Sequence, residues 1–235
     1  MAAYFVTASG TDVGKTLVTT ALAWQLGRQG REVRALKPVI TGFDPEAISE
    51  SDSGQILASL GRDVTLAEVE RISPWRFAAP ISPDMAAARE DAEIEFGDLF
   101  AFCHEQIVTA EGDGATLLIE GIGGVMVPLT DRETVTDWMA ALGLPAILVT
   151  GSYLGSLSHT LTALEAMTSR GVVTAAVVVS ESPENPVPLE ETIDTIRRFV
   201  EPALVRSVPR MENAVEPWTV VPDLTEILSV DLSAA

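Results

Sequence analysis

Residues 8–16 read Ala8-Ser9-Gly10-Thr11-Asp12-Val13-Gly14-Lys15-Thr16, between a short apolar run, Tyr4–Thr7, and a segment with helical spacing, Thr16–Arg28. A strand that passes through a glycine turn into a helix opening on Gly-Lys-Thr makes a phosphate-binding loop. The first-turn amides and the positive end of the helix dipole then face an anion. Lys15 is placed to reach the β- and γ-phosphates of a nucleotide and the Thr16 hydroxyl to bind Mg²⁺. The contacting stretch is Asp12, Val13, Gly14, Lys15, Thr16 and Leu17. The usual spacing puts Gly six residues before the Lys; Ser9 stands there, and Gly10 comes one later. An ordinary glycine turn before a helix is the competing reading, and lysine usage decides between them. Of 15 basic residues, 13 are Arg and two are Lys, at 15 and 37. An ammonium is a compact point charge that a planar guanidinium replaces poorly in a tight site.

Working outward, strand-like and helical segments alternate. Strands are expected at Glu32–Lys37, Ala115–Ile119, Ala146–Thr150 and Val172–Val179. Helices are expected at Ser53–Leu60, Phe96–Ala110, Thr136–Leu142, Ser158–Met167 and Leu189–Val200. Residues 73–84, with Pro74, Pro80 and Pro83, read as a long ordered loop, and Glu181–Pro188 as a Pro-rich one. The tail beyond 205 is weakly assigned. Such alternation predicts an α/β fold: one parallel sheet with helices on both faces, in the three-layer sandwich of phosphate-loop nucleoside triphosphatases. At ~150 residues per domain, a chain of 235 residues is expected to form one domain over 1–235.

Composition narrows the partners. A net charge of −19 makes the chain a poor binder of nucleic acid or anionic membrane. No apolar run approaches the ~18 residues of a membrane-spanning helix, and Met1–Val6 has no basic region, so no signal peptide is expected. The single cysteine, Cys103, allows no intrachain disulfide, which fits a reducing, cytoplasmic setting.

In open parallel sheets ligands bind beyond the carboxyl ends of the strands. Lys37 stands at such an end, directly before Pro38, with Thr41-Gly42 shortly after. A second ammonium near a γ-phosphate serves a reaction with an anionic nucleophile. Glu120 ends another strand and is followed by Gly121-Ile122-Gly123-Gly124. A carboxylate there is a candidate Mg²⁺ ligand, and the glycines admit close backbone approach. Asp52 has two readings, a helix cap and a metal ligand. His104 and His159 with one Cys cannot make a zinc site; His159 is either a cap or a support of the site. Gly151-Ser152-Tyr153-Leu154-Gly155 lacks nucleophile-elbow spacing, which argues against a serine hydrolase.

These pieces resemble dethiobiotin synthetases. The likeness rests on Val6 to Thr16, Lys37-Pro38-Val39 with Thr41-Gly42, Asp52, Pro74 to Pro83, Glu120 to Gly124 with Pro128-Leu129, and Leu154-Gly155 with His159. It runs from about residue 4 to 180. The resemblance implies an ATP- and Mg²⁺-dependent cyclo-ligase that converts 7,8-diaminononanoate and CO₂ to dethiobiotin, in biotin biosynthesis. It implies that Lys15 and Lys37 are catalytic and that Thr16, Asp52 and Glu120 hold Mg²⁺. Thr11, Asp12, Thr41 and Ser158 would meet substrate. Gly121, Ile122 and Gly123, with Ser180, Glu181, Val208, Pro209 and Arg210, would contact nucleotide. It also implies a homodimer, with the substrate's carboxylate tail reaching the partner near 151–158. The chain departs from the family at Tyr153 (often Lys), Ser158 (often Asn), Asp84 (often His) and Ser180, where an Asn reads adenine. Ser180 offers one hydroxyl instead, so CTP is an expected alternative to ATP. The competing function is a nucleotide-switched ATPase of the partitioning or metallochaperone kind. Those carry an extra Lys early in the loop, and this chain has none. A nucleotide-sensing domain without catalysis is disfavoured by Lys37 and Glu120.

Overall fold

A computed structural model describes residues 3–200, 203–211 and 214–228. In chain order the strands are β1 (Ala3–Ala8), β2 (Val33–Leu36), β3 (Val39–Thr41), β4 (Trp75–Phe77), β5 (Thr116–Glu120), β6 (Ala146–Thr150), β7 (Thr174–Ser180) and β8 (Leu204–Val208). The helices are α1 (Lys15–Arg28), α2 (Asp52–Ser59), α3 (Leu66–Ile72), α4 (Pro83–Arg89), α5 (Phe96–Asp113), α6 (Val135–Leu142), α7 (Ser156–Ser169) and α8 (Leu189–Val200).

Six strands form one parallel sheet in the order β2-β5-β1-β6-β7-β8. Strands β5 and β6 are buried along their whole length and β1 from its second residue on. That is why these segments read as unbroken apolar runs rather than alternating ones. From β1 the chain moves to β2 on one edge, returns through β5 and then crosses to β6 on the far side of β1. The reversal puts a crevice at the carboxyl ends of β1 and β5. Register fixes what lies there: Val6 pairs with Glu120 on one side and Ile147 on the other. Beneath the crevice, Phe5 and Trp138 meet edge to face at 4.8 Å. A side chain at position 121 would come within 2.7 Å of Phe5, so the residue after Glu120 has to be Gly.

Strand β3 was not expected beyond Pro38, and sequence expectation and structure differ at three further places. Residues 73–84 are not all loop. They contain β4, which pairs in parallel with β3, and the start of α4, whose first residue is Pro83. The two strands are three residues each, and prolines flank β4; periodicity has too few residues to register there. Helix α3 was not expected. Its cap, Thr65, accepts from the Glu68 amide. The tail contributes β8 and a strap across α1. Buried Gln25 donates to the carbonyls of Val221 and Pro222 at 3.1 and 2.9 Å and accepts from the Leu224 amide at 2.9 Å. The Tyr4 hydroxyl donates to the Leu228 carbonyl.

Helix α2 seats Asp52 by an unusually close approach. A Cβ at Gly54 would lie 2.0 Å from the Ile48 carbonyl oxygen, so only Gly lets α2 sit there. Gly54→Ala is expected to cost about 1–3 kcal/mol as overpacking, a Tm loss of roughly 2–4 °C per kcal/mol. Thermal melts check this; an unchanged Tm would mean that α2 shifts freely.

Candidate active site

The loop between β1 and α1 uses two left-handed backbone positions, Asp12 (φ 57°) and Gly14 (φ 98°). Gly14 is the N-cap of α1. No side chain caps that helix end, and its first turn holds no acidic residue. Its amides are therefore left for an anion. The glycine loop after β5 lies flush on this loop: a Cβ at Gly124 would be 3.2 Å from the Gly10 Cα. Ser9, at the position where Gly is usual, is tied into the sheet. Its Oγ lies 2.9 Å from the Thr150 hydroxyl, which lies 2.7 Å from that of Thr160.

Lys37 is 2% exposed. Its ammonium donates to Glu120 Oε1 at 2.8 Å and the Gly121 carbonyl at 2.8 Å, and it pairs with Asp52 Oδ2 at 3.2 Å. Three acceptors match three protons. Burial alone would lower the Lys37 pKa, but the Glu120 and Asp52 carboxylates outweigh it and hold the group above its ordinary value. Burial pushes Asp52 up, and Lys37 with the Thr16 hydroxyl more than offsets this, so Asp52 ends below the usual carboxylate range.

The Thr16 hydroxyl lies 2.8 Å from Asp52 Oδ1 and 2.9 Å from Glu120 Oε1. It has one proton for two carboxylates. Glu120 is fully buried, and its Oε2 has no hydrogen-bond partner among the described residues. A buried carboxylate oxygen without a donor costs free energy unless a cation meets it. Asp52 is not a cap: Ser51 fills that role, accepting from the Gly54 amide.

Lys15 is 7% exposed, and its ammonium has no hydrogen bond or ion pair among the described residues. Burial, with the Lys37 charge beside it, lowers its pKa from 10.5 to about 8. The unfolded chain therefore holds this proton more tightly, and the group's contribution to stability rises with pH between about 8 and 10.5. An anionic ligand reverses the shift by favouring the charged form. The expected result is a kcat/KM for nucleotide that falls as pH rises through about 8, while kcat stays flat. A pH profile of both parameters checks it; parallel limbs would mean that another group titrates.

A cavity of about 700 Å³ opens over these groups. Of the residues singled out from sequence, it is lined by Thr11, Asp12, Gly14, Lys15, Thr16, Lys37, Thr41, Asp52, Ile122 and Gly123. Sequence reasoning missed Ile40, Val127 and Pro80 to Pro83, which also line it; the Pro-flanked motif was the available signal for the last group. Val13 and Leu17 flank the loop without lining the cavity.

Ser180 and Glu181 sit elsewhere, behind Gly14. A Cβ on Gly14 would be 2.8 Å from the Ser180 Oγ. Ser180 pairs with Val208, and the Glu181 amide donates to the Val208 carbonyl. The Glu181 carboxylate accepts from the Arg210 amide at 2.9 Å and the Asn185 side chain at 2.8 Å. Each oxygen of the Glu181 carboxylate thus already accepts a hydrogen bond. Pro209 joins Val208 to Arg210 in the same cluster. Ser158 is exposed on α7, away from the cavity. His159 caps nothing; its Nδ1 lies 2.8 Å from the Tyr153 hydroxyl.

Comparison with known proteins places this geometry. Residues 2–217 match a family model described as an AAA domain. An ATP-dependent dethiobiotin synthetase BioD of Acidiphilium cryptum is 48% identical over 203 residues, covering 85% of this chain and 89% of that one. One of the same name from Methylobacterium nodulans is 48% identical, covering 84% and 89%. The chain belongs to the ATP-dependent dethiobiotin synthetase family. Fold likeness reaches further: a solved MinC:MinD cell division complex of Aquifex aeolicus has a TM-score of 0.57 at 13% identity, covering 93% of this chain and 85% of that one. That similarity is of fold alone. Among the described residues no helix is long and apolar enough to cross a membrane.

Proposed function

We propose that the protein carboxylates 7,8-diaminononanoate with CO₂ and closes it to dethiobiotin, converting ATP to ADP and phosphate. The observation that carries this is Lys37, buried beside a phosphate loop and held by Glu120 and Asp52 at the cavity wall. The chemistry needs charge neutralisation and positioning, which is what these residues supply.

One substrate amine adds to CO₂, losing a proton, and becomes a carbamate. A carbamate oxygen attacks the γ-phosphorus, ADP leaves, and a carbamoyl phosphate remains. The second amine attacks the carbonyl carbon and loses a proton, phosphate leaves with the electron pair of the C–O bond, and the cyclic urea closes. Lys15 and the α1 amides hold the phosphates. Lys37 offsets the charge shared by carbamate and phosphoryl oxygens. Thr11, Asp12 and Thr41 orient the diamine.

Thr16, Asp52 and Glu120 would hold Mg²⁺, and the unpartnered Glu120 Oε2 supports that fit. No cluster of three or more His, Cys, Asp or Glu side chains able to hold a metal exists among the described residues; Mg²⁺ typically needs only one or two carboxylates beside substrate phosphates. Held there, the metal would supply neutralisation of the triphosphate charge, while Glu120 and Asp52 keep the Lys37 ammonium at the cavity wall.

The reading includes a homodimer in which exposed Leu154, before α7, and Ser158, in its first turn, face the partner and meet the substrate's carboxylate. It places the enzyme in the cytoplasm, where Cys103, its thiol pKa pushed up to about 12 by burial, stays inert.

Base selectivity is weak in this reading. Ser180 satisfies at most one bond where an Asn satisfies two, and Glu181 is engaged. ATP and CTP are expected to support turnover within ~10-fold, and Ser180→Asn to widen the gap by roughly 1 kcal/mol or more. Kinetics with ATP, GTP and CTP measure it; an ATP preference above ~100-fold would mean that other groups read adenine. The proposed activity itself is tested by phosphate release. Diamine plus bicarbonate raises it at least ~10-fold over ATP alone; equal rates favour the switch ATPase.

A further inference from the structure

We infer that Ser82, polarised by Asp84, is a specificity-determining residue for the amine groups of the substrate; this rests on the dethiobiotin synthetase reading. The cavity has two chemically unlike walls. One is the phosphate loop with Lys15 and Lys37. Another is the segment Pro80 to Pro83. That second wall is built, not loose. Thr41 pairs with Phe77, the Gly42 amide donates to the Ala79 carbonyl at 3.2 Å, and a Cβ at Gly42 would touch Pro80 at 3.1 Å.

Ser82 stands where a helix cap belongs, directly before α4, yet its side chain does not cap that helix. Its hydroxyl donates to the Asp84 carboxylate, and its other polar neighbour is the Pro128 carbonyl at 3.4 Å. Both are acceptors. A serine hydroxyl has one proton and two lone pairs. The proton is committed to Asp84, and no donor among the described residues reaches the lone pairs. Whatever meets Ser82 from the cavity must therefore bring an N–H or O–H. A phosphate or carbamate oxygen would face a lone pair with a carboxylate behind it and be disfavoured.

The cavity thus sorts its ligand by polarity: anionic oxygens toward Lys15 and Lys37, N–H groups toward Ser82. A diamine carboxylated on one nitrogen has this pattern, because its second nitrogen is an N–H donor. Asp84 sets the polarity. A neutral amide at 84 donates as readily as it accepts and frees the serine to turn its own proton to the cavity.

The test is steady-state kinetics on the full chain with calorimetric titration of the diamine. Ser82→Ala is expected to raise the KM and Kd for diamine roughly 10-fold, with kcat within about 3-fold and the KM for ATP within about 2-fold. Asp84→Asn moves diamine affinity the same way by about 3-fold or more, and Ser82→Thr, which keeps the hydroxyl, stays within about 3-fold of wild type. An unchanged diamine affinity in Ser82→Ala overturns the inference. So does an equal rise in the KM for ATP, which would mark a merely structural role. Wild-type protein whose phosphate release ignores the diamine overturns the underlying reading and this inference with it. Wild-type protein that turns the diamine over beside an indifferent Ser82→Ala overturns the inference alone.

Discussion

Lys37→Gln and Lys37→Arg each lose more than ~100-fold in turnover, since a charge-stabilising donor in a closed site is worth about 3 kcal/mol. The arginine variant is the sharper of the two. Lys37 is 2% exposed and spends its protons on three acceptors gathered around one nitrogen. A guanidinium spreads five donors over a plane and cannot converge on that point. Steady-state phosphate release with ATP and diamine reads the effect, and near-normal turnover in Lys37→Arg would reduce Lys37 to an ordinary strand-end cation.

Glu120→Ala acts on stability as well as activity. It leaves the Lys37 ammonium buried beside a carbonyl and an Asp52 side chain that is 40% exposed. Breaking a buried pair in this way costs about 3–5 kcal/mol, so Tm falls by roughly 6–20 °C at 2–4 °C per kcal/mol. Adding Lys37→Met to Glu120→Ala removes the stranded charge and recovers much of the stability while leaving the enzyme inactive. Calorimetric melts of the single and double variants decide it. A double variant no more stable than Glu120→Ala would place the loss in packing rather than in charge.

The sheet and the phosphate loop were legible in the sequence because each carries a long, regular signal. The apolar runs at β1, β5 and β6 are buried on both sides, and Gly14-Lys15-Thr16 opens a 14-residue helix. Lysine scarcity pointed to Lys37 without any structural input. What stayed hidden depends on partners distant in sequence. Strand β4 is three residues long and exists because β3 lies beside it. The strap over α1 depends on Gln25, nearly 200 residues away, meeting three backbone groups in the interior. Asp52 read equally well as a cap because Ser51, one residue earlier, has the same propensity; only geometry shows which of the two accepts the Gly54 amide. At Glu181 the residue was noticed, but the Arg210 amide that occupies it comes from beyond β8, whose apolar run is broken by Arg206 and Ser207.

The central claim is that a carbon from CO₂ is built into a cyclic urea at the expense of one γ-phosphate. Its most direct measurement is mass spectrometry of the product formed from ¹³C-bicarbonate, diamine and ATP, with phosphate counted in the same reaction. The account predicts dethiobiotin carrying one ¹³C at the ureido carbon and one phosphate released for each. Phosphate released without labelled product, or released at the same rate when the diamine is withheld, would contradict it.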